Sequence, residues 1–197
     1  MTRRFLLSLW LLLCGLSAAR AAQDLYNPLA VGLRWDVDIE WTTPAGKTEH
    51  GSAVRLITDS QKLGEYTYFV VVTTFTGLPD MKEVTMLRRK SPRAIYAINM
   101  LDKEKREFME AALPLEVGQS WKTVIGTMVI ISSVDARESV TAGGKTYENC
   151  VKISYVSDDG NVSGYYYQAP DVGNVKEVSK RGDATYTFTL KTFSGLK

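Results

Sequence analysis

Residues 33–41 read Leu33-Arg34-Trp35-Asp36-Val37-Asp38-Ile39-Glu40-Trp41, and this stretch decides the fold class. Leu33, Trp35, Val37, Ile39 and Trp41 alternate with four charged residues, so an extended strand puts every apolar side chain on one face, whereas a helix would scatter them around its circumference. Working outward, Ala184, Tyr186, Phe188 and Leu190 repeat the pattern near the carboxyl end, interleaved with Thr185, Thr187 and Thr189. Between them lie β-rich runs at Ser52 to Thr58, Tyr66 to Phe75, Glu83 to Arg89, Ala94 to Met100, Trp121 to Ser132, Cys150 to Ser157 and Val162 to Gln168. Turn chemistry separates them, at Thr43-Pro44-Ala45-Gly46, Gly77-Leu78-Pro79-Asp80, Ser91-Pro92, Ala142-Gly143-Gly144, Asp158-Asp159-Gly160-Asn161 and Arg181-Gly182-Asp183. About ten closely spaced strands predict an all-β, antiparallel protein, folded as an open or half β-barrel or as a sandwich. The stretch Asp102 to Ala112 alone suggests helix, and it is charged and short, so it is expected to be a connector.

The amino terminus carries an export signal. Arg3 and Arg4 form a positive region, Phe5 to Leu13 an apolar run, and Ala19-Arg20-Ala21 the small residues of a cleavage site; Ser17-Ala18-Ala19 offers a second. The run is too short for a permanent membrane anchor, and no later run approaches spanning length, so no integral membrane segment is expected after cleavage. Cleavage after Ala21 divides the chain into a signal peptide, 1–21, and a single β domain, 22–197. The expected location is periplasmic or secreted. Lipidation at Cys14 is disfavoured, because Leu13 stands where a small residue is needed and Cys14 lies inside the apolar run.

The charge balance changes once the signal is removed. The whole chain has 24 Lys and Arg against 22 Asp and Glu, but Arg3, Arg4 and Arg20 belong to the signal, leaving 21 against 22. A nucleic-acid partner is therefore not expected. Of the two cysteines only Cys150 remains, so no intramolecular disulfide forms and stability rests on a packed core.

A tandem relation is visible. Pro28-Leu29-Ala30-Val31-Gly32-Leu33-Arg34-Trp35 matches Pro114-Leu115-Glu116-Val117-Gly118-Gln119-Ser120-Trp121 at five of eight positions. Pro79-Asp80 with Lys82-Glu83-Val84 then recurs as Pro170-Asp171 with Lys176-Glu177-Val178, and Lys90, Ala94 and Tyr96 as Lys180, Ala184 and Tyr186. Three matches in one order predict two related units, about 26–107 and 112–197. Gly32 and Gly118 are expected to allow a turn, and Trp35 and Trp121 to fill core volume with the indole N–H satisfied at the edge.

Catalytic chemistry finds no constellation. His50 is the single histidine, so neither a His-rich metal site nor a His-dependent nucleophile has its partners, and no Gly-x-Ser-x-Gly elbow occurs. Cys150 alternates with Lys152 and Ser154 and is expected to be a filler or half-exposed thiol. Asp36 and Asp38 share one polar strand face, Asp158 to Asn161 is expected to be a hairpin turn, and Ala142 to Thr146 lacks the strand and helix of a phosphate loop. No catalytic residue, metal or cofactor is expected. Tyr165-Tyr166-Tyr167 places rings on both faces of one strand, so either both faces are packed or one lines a groove; these three are the candidate ligand- or partner-contact residues.

Val140-Thr141-Ala142-Gly143-Gly144-Lys145-Thr146-Tyr147-Glu148-Asn149-Cys150-Val151-Lys152-Ile153, followed by Tyr165-Tyr166-Tyr167-Gln168-Ala169-Pro170-Asp171-Val172-Gly173-Asn174-Val175-Lys176-Glu177, resembles a family of exported bacterial β proteins of unknown function. That family also opens with Pro-Leu-x-Val-Gly-x-x-Trp. Asp171 departs from its usual Gly, and Ala142-Gly143 stands where Pro-Ala-Gly is usual. The resemblance implies an exported β fold and carries over no catalytic residue. The leading expectation is a non-enzymatic envelope protein binding a lipid or other hydrophobic molecule in an apolar concavity. A protein-interaction module of the envelope is the alternative, with an enzyme third.

Overall fold

The computed structural model describes residues 26–78 and 82–195, so the export signal with Cys14, and Pro79-Asp80, lie outside the described residues. Twelve strands follow in order: β1 (Arg34–Thr42), β2 (Thr48–Leu63), β3 (Tyr66–Thr76), β4 (Glu83–Lys90), β5 (Ala94–Asn99), β6 (Glu107–Ala112), β7 (Ser120–Ile125), β8 (Met128–Ala142), β9 (Lys145–Ser157), β10 (Val162–Ala169), β11 (Gly173–Arg181) and β12 (Ala184–Ser194). All pair antiparallel in one sheet. The order is β6-β5-β4-β3-β2-β1-β12-β11-β10-β9-β8-β7, two six-stranded meanders joined where β1 pairs with β12.

Twelve strands replace the expected ten, for three local reasons. Trp121 to Ser132 is two strands, because Gly126 (φ 60°) turns the chain between Ile125 and Met128. β11 was hidden by its polar residues. Asp102 to Ala112 is not a helical connector: Asn99 Oδ1 accepts from Leu101 N at 2.9 Å and Asp102 Oδ1 from Glu104 N at 3.1 Å, local bonds that compete with helix, and β6 follows.

A single continuous sheet excludes the sandwich. The end strands β6 and β7 instead approach one another, and the sheet is nearly closed into a barrel. Trp121 Nε1 donates to Glu110 O at 3.2 Å and Thr123 Oγ1 to Met109 O at 2.8 Å, so side chains of β7 reach the backbone of β6 where a ladder would run. The repeated opening motif forms the same turn twice. Gly32 (φ 93°) and Gly118 (φ 90°) adopt the left-handed region, Gly32 N donates to Ile57 O and Gly118 N to Val134 O, and each tryptophan is the second residue of its strand. Of the two further matches, Glu83, Val84, Lys90, Ala94 and Tyr96 fall on β4 and β5 in the first meander, but Glu177, Val178, Lys180, Ala184 and Tyr186 on β11 and β12 in the second.

The core is made by long hairpins bending inward. Register shifts at Val134/Ala136 and Glu138/Val140 bend β8 against β9. Val140, Ala142 and Cys150 from that hairpin then pack in one buried cluster with Leu33, Trp35, Ile57, Val71 and Leu190. The tip needs Gly143: its φ is 56°, and a Cβ there would lie 2.6 Å from Lys191 O and 2.7 Å from Leu190 O. The segment before β1 is tied down too, with Tyr26 buried against Trp121, Val151 and Ile153 and its hydroxyl donating to Asn149 O at 2.9 Å.

On the outer face an ion pair fastens the end strand β6. Arg89 donates from Nε and a terminal nitrogen to the two carboxylate oxygens of Glu107, both at 2.7 Å, while Tyr68 OH donates to the same carboxylate. The Tyr66 and Tyr96 rings each lie 4.1 Å from the guanidinium carbon. Burial alone would raise the Glu107 pKa, but the bonds from Arg89 and Tyr68 outweigh it and hold the carboxyl below the usual glutamate range. A depressed folded-state pKa stabilises above the unfolded value of about 4.3, and this contribution is lost as pH falls through the folded value. Unfolding measured between pH 6 and 3 is therefore expected to show a steeper loss of stability in the wild type than in Glu107→Gln. Equal slopes would show that the pair contributes nothing to acid sensitivity.

Candidate functional site

The nearly closed barrel holds a partly open cavity of about 530 Å³, within the range of small-molecule sites. Strand alternation places its walls. On β2 the face carrying Ala53, Arg55 and Ile57 turns inward; across the ladder Arg55 sits opposite Thr73, and Val71 opposite Met86 of β4. The apolar lining is Met86, Ile95, Phe108, Ile125, Met128 and Ile130. The polar lining is Arg55, Arg88, Glu110, Tyr155, Tyr166 and Glu177, with Arg88 two residues along β4 from Met86 and Glu110 two along β6 from Phe108. A second chamber of about 170 Å³ shares Trp35, Arg55, Asn174, Glu177 and Arg181 with the first.

The polar lining is a network with gaps. Arg88 pairs with Glu110. Tyr155 OH donates to Glu177 Oε1 at 3.0 Å and Asn174 Nδ2 to Glu177 Oε2 at 3.3 Å. At the edge of the cavity Asn27 and Gln168 exchange side-chain amide bonds at 3.0 and 3.3 Å, which ties the segment before β1 to β10. Burial pushes the Tyr155 and Tyr166 phenols far up, so both remain neutral hydroxyls at physiological pH. Arg55 is pushed down to about 10, by burial first and then by Arg88; Glu110 and Glu177 act in the opposite sense. It remains charged at neutral pH. Three buried atoms of the lining have no hydrogen-bond partner among the described residues: Arg88 Nε, Glu110 Oε2 and Ser179 Oγ, the last close enough to Tyr155 to favour its ionised form without a well-formed bond. Buried polar atoms left open cost stability until water or a ligand meets them.

Tyr165-Tyr166-Tyr167 is split by the pleat. Tyr166 faces the cavity, its ring 6.1 Å from that of Tyr155. Tyr165 and Tyr167 lie on the opposite face, with ring centroids 5.7 Å apart edge to face and Lys152 Nζ 4.9 Å over Tyr165. The other residues weighed from the sequence lie outside the cavity. His50 is exposed, 3.9 Å from Glu40. Cys150 is fully buried; burial pushes its thiol pKa up, and it donates to Tyr147 O at 3.3 Å. Asp36 accepts from Arg34 and Thr192, and Asp159 from Ser157 and Asn161 within the β9–β10 turn.

The residues that shape the cavity chemically, Arg55, Arg88, Glu110 and Glu177, were missed from the sequence. Their signal was present for β2: Arg55 interrupts the face carrying Ala53 and Ile57, and a charge on an otherwise apolar strand face is what a polar-walled lumen requires.

These features define an antiparallel, nearly closed β-barrel with an amphipathic lumen. Among solved structures, a protein of Bacteroides fragilis described as exported and of YmcC-like fold is similar, with a TM-score of 0.56 and 13% identity over 87% of this chain and 99% of that one. A protein of Parabacteroides distasonis described as a lipoprotein gives 0.53, with the same identity and coverage. At this identity the likeness establishes the fold. No protein-family model and no curated protein matches the sequence.

Proposed function

We propose that this is an exported, non-enzymatic protein of the cell envelope that holds a hydrophobic or lipid-like molecule in its barrel. The observation carrying this reading is the cavity of about 530 Å³ whose lining includes aliphatic and aromatic side chains. The signal sequence in the first 21 residues supports export, as do the descriptions of the two similar structures as exported protein and lipoprotein. The second of those descriptions keeps a lipid-anchored form within the proposal. Tyr166 is the one residue of the tyrosine trio that contributes to this site.

Organic extraction of the purified protein followed by mass spectrometry is expected to recover a lipid, and a fluorescent fatty acid is expected to bind and be displaced by it. Recovery of no lipid together with no probe binding overturns the reading. The second reading, docking of an envelope protein, is favoured by the exposed Val124, Ile131 and Val156 on the outer face, where Ile131 and Val156 are cross-strand partners. Capture of a partner from envelope extracts by the wild type, lost on changing Ile131 and Val156 to Ser, would support it.

A further inference from the structure

We propose that the lumen selects amphiphiles with an anionic head group, and that Arg55 is the counter-ion that receives the head at the junction of the two chambers. This deepens the reading of the lumen as a lipid-holding site and rests on it.

The geometry of Arg55 carries the argument. A guanidinium has five N–H donors in a planar fork that suits carboxylate or phosphate oxygens. Arg55 lines both chambers, and among the described residues its one hydrogen bond is from Nε to Thr73 Oγ1 at 3.4 Å, a long contact. Neither carboxylate of the cavity pairs with it. Glu110 is held by Arg88, and both oxygens of Glu177 are occupied, one by Tyr155 and the other by Asn174. The fork of this partly buried arginine therefore faces the cavity without a carboxylate partner, an arrangement in which an incoming anion would offset the cost of desolvating the charge.

Around Arg55 the larger chamber balances Arg88 and Arg181 against Glu110 and Glu177, so Arg55 itself supplies the excess of one positive charge (3 − 2), and the smaller chamber adds Lys176. Of the three unmet buried atoms in the lining, two are donors, Arg88 Nε and Ser179 Oγ, from which an anionic oxygen would accept, and the third, Glu110 Oε2, is an acceptor beside Arg88. Among the other lining residues, Met86, Phe108, Met128 and Ile130 suit an acyl chain. The low pKa of Arg55 agrees, since a bound anion would remove the penalty that burial and Arg88 impose.

The test compares a fluorescent polyene fatty acid with its methyl ester, identical in chain and different in charge. The wild type is expected to bind the acid about ten-fold more tightly or better, the equivalent of about 1.4 kcal/mol. Arg55→Met is expected to remove most of that preference while leaving ester binding within about two-fold, and Arg55→Lys to retain part of it. Displacement of the acid probe by lysophosphatidic acid, set against displacement by unlabelled fatty acid, distinguishes a phosphate from a carboxylate head, and preference for either over the ester supports the proposal. Equal binding of acid and ester by the wild type overturns the anion site and leaves the lipid-holding reading standing. Binding of neither probe overturns both. The wild-type ratio decides the matter even if Arg55→Met does not fold.

Discussion

Replacing Trp35 with alanine is expected to cost about 3–5 kcal/mol of stability. Trp35 is 7% exposed and packs in the cluster that unites β1 and β2 with the bent β8–β9 hairpin. Its ring centroid lies 5.2 Å from that of Phe193 on the neighbouring strand, and its indole N–H donates to Val172 O at 2.6 Å, so truncation removes ring volume, an aromatic pair and a buried bond together. Surrounding strands are fixed by ladders on both sides and have little freedom to collapse into the hole. For a domain of this size each kcal/mol lowers the melting temperature by about 2–4 °C. Thermal unfolding followed by circular dichroism checks this. A loss below about 1 kcal/mol would mean that the ring is not the hinge of that cluster. Trp35→Phe, which keeps a ring and loses the N–H, is expected to fall between.

The second large effect is expected at Gly164, where even a methyl group has no room. Its backbone is not in the left-handed region, so space alone demands glycine. A Cβ there would lie 2.2 Å from Val178 O, 2.8 Å from the Tyr155 hydroxyl and 3.0 Å from Ser179 Cα. Tyr155 is the cross-strand neighbour of Gly164 on β9, and Ser179 is its neighbour on β11, so the glycine is the gap through which the Tyr155 hydroxyl reaches Glu177. Gly164→Ala must displace either the carbonyl of Val178 or the phenol, and the loss is expected to reach about 1–3 kcal/mol. Adding Tyr155→Phe removes the hydroxyl contact and leaves the backbone one, so the double variant is expected to stay destabilised. An unchanged melting temperature for Gly164→Ala would overturn the packing described for this wall. Ligand binding should weaken in parallel, because Tyr155, Glu177 and Ser179 all line the cavity.

Some strands were legible and others were not, for reasons that individual residues make plain. The stretch Leu33 to Trp41 declares itself because one face meets the core and the other meets water, and the pleat converts that division into strict alternation. β11 hides because its inward residues Glu177, Ser179 and Arg181 are polar while Val178 alternates with them, reversing the expected sense. β6 hides for a related reason. The charges of Lys103 to Glu110 resemble a helix with spaced ion pairs, yet Glu107 is bound by Arg89 and Glu110 by Arg88, both on β4. Partners distant in sequence override the local pattern.

The same division holds for the site. Tyr165-Tyr166-Tyr167 could be singled out as rings on both faces, but which ring enters the lumen depends on how β10 is set between β9 and β11. Arg55 could be seen as a charge on an apolar face, while its lack of a carboxylate partner depends on Glu110 and Glu177 being engaged by other residues.

The sequence by itself determined the export signal as an expectation, the all-β antiparallel class, the hairpin turns and the twinned turn at Gly32 and Gly118. These are properties of a few consecutive residues: side-chain alternation, left-handed glycines and small polar turn formers. Closure of the chain in the tertiary structure is what makes the sheet one, joins its ends through Trp121 and Thr123, and gathers polar and apolar side chains around a common cavity. Those outcomes rest on contacts such as Arg88 to Glu110, 22 residues apart, and Asn27 to Gln168, 141 apart. No local pattern encodes such pairings, because they arise only when closure brings distant strands onto a common interior.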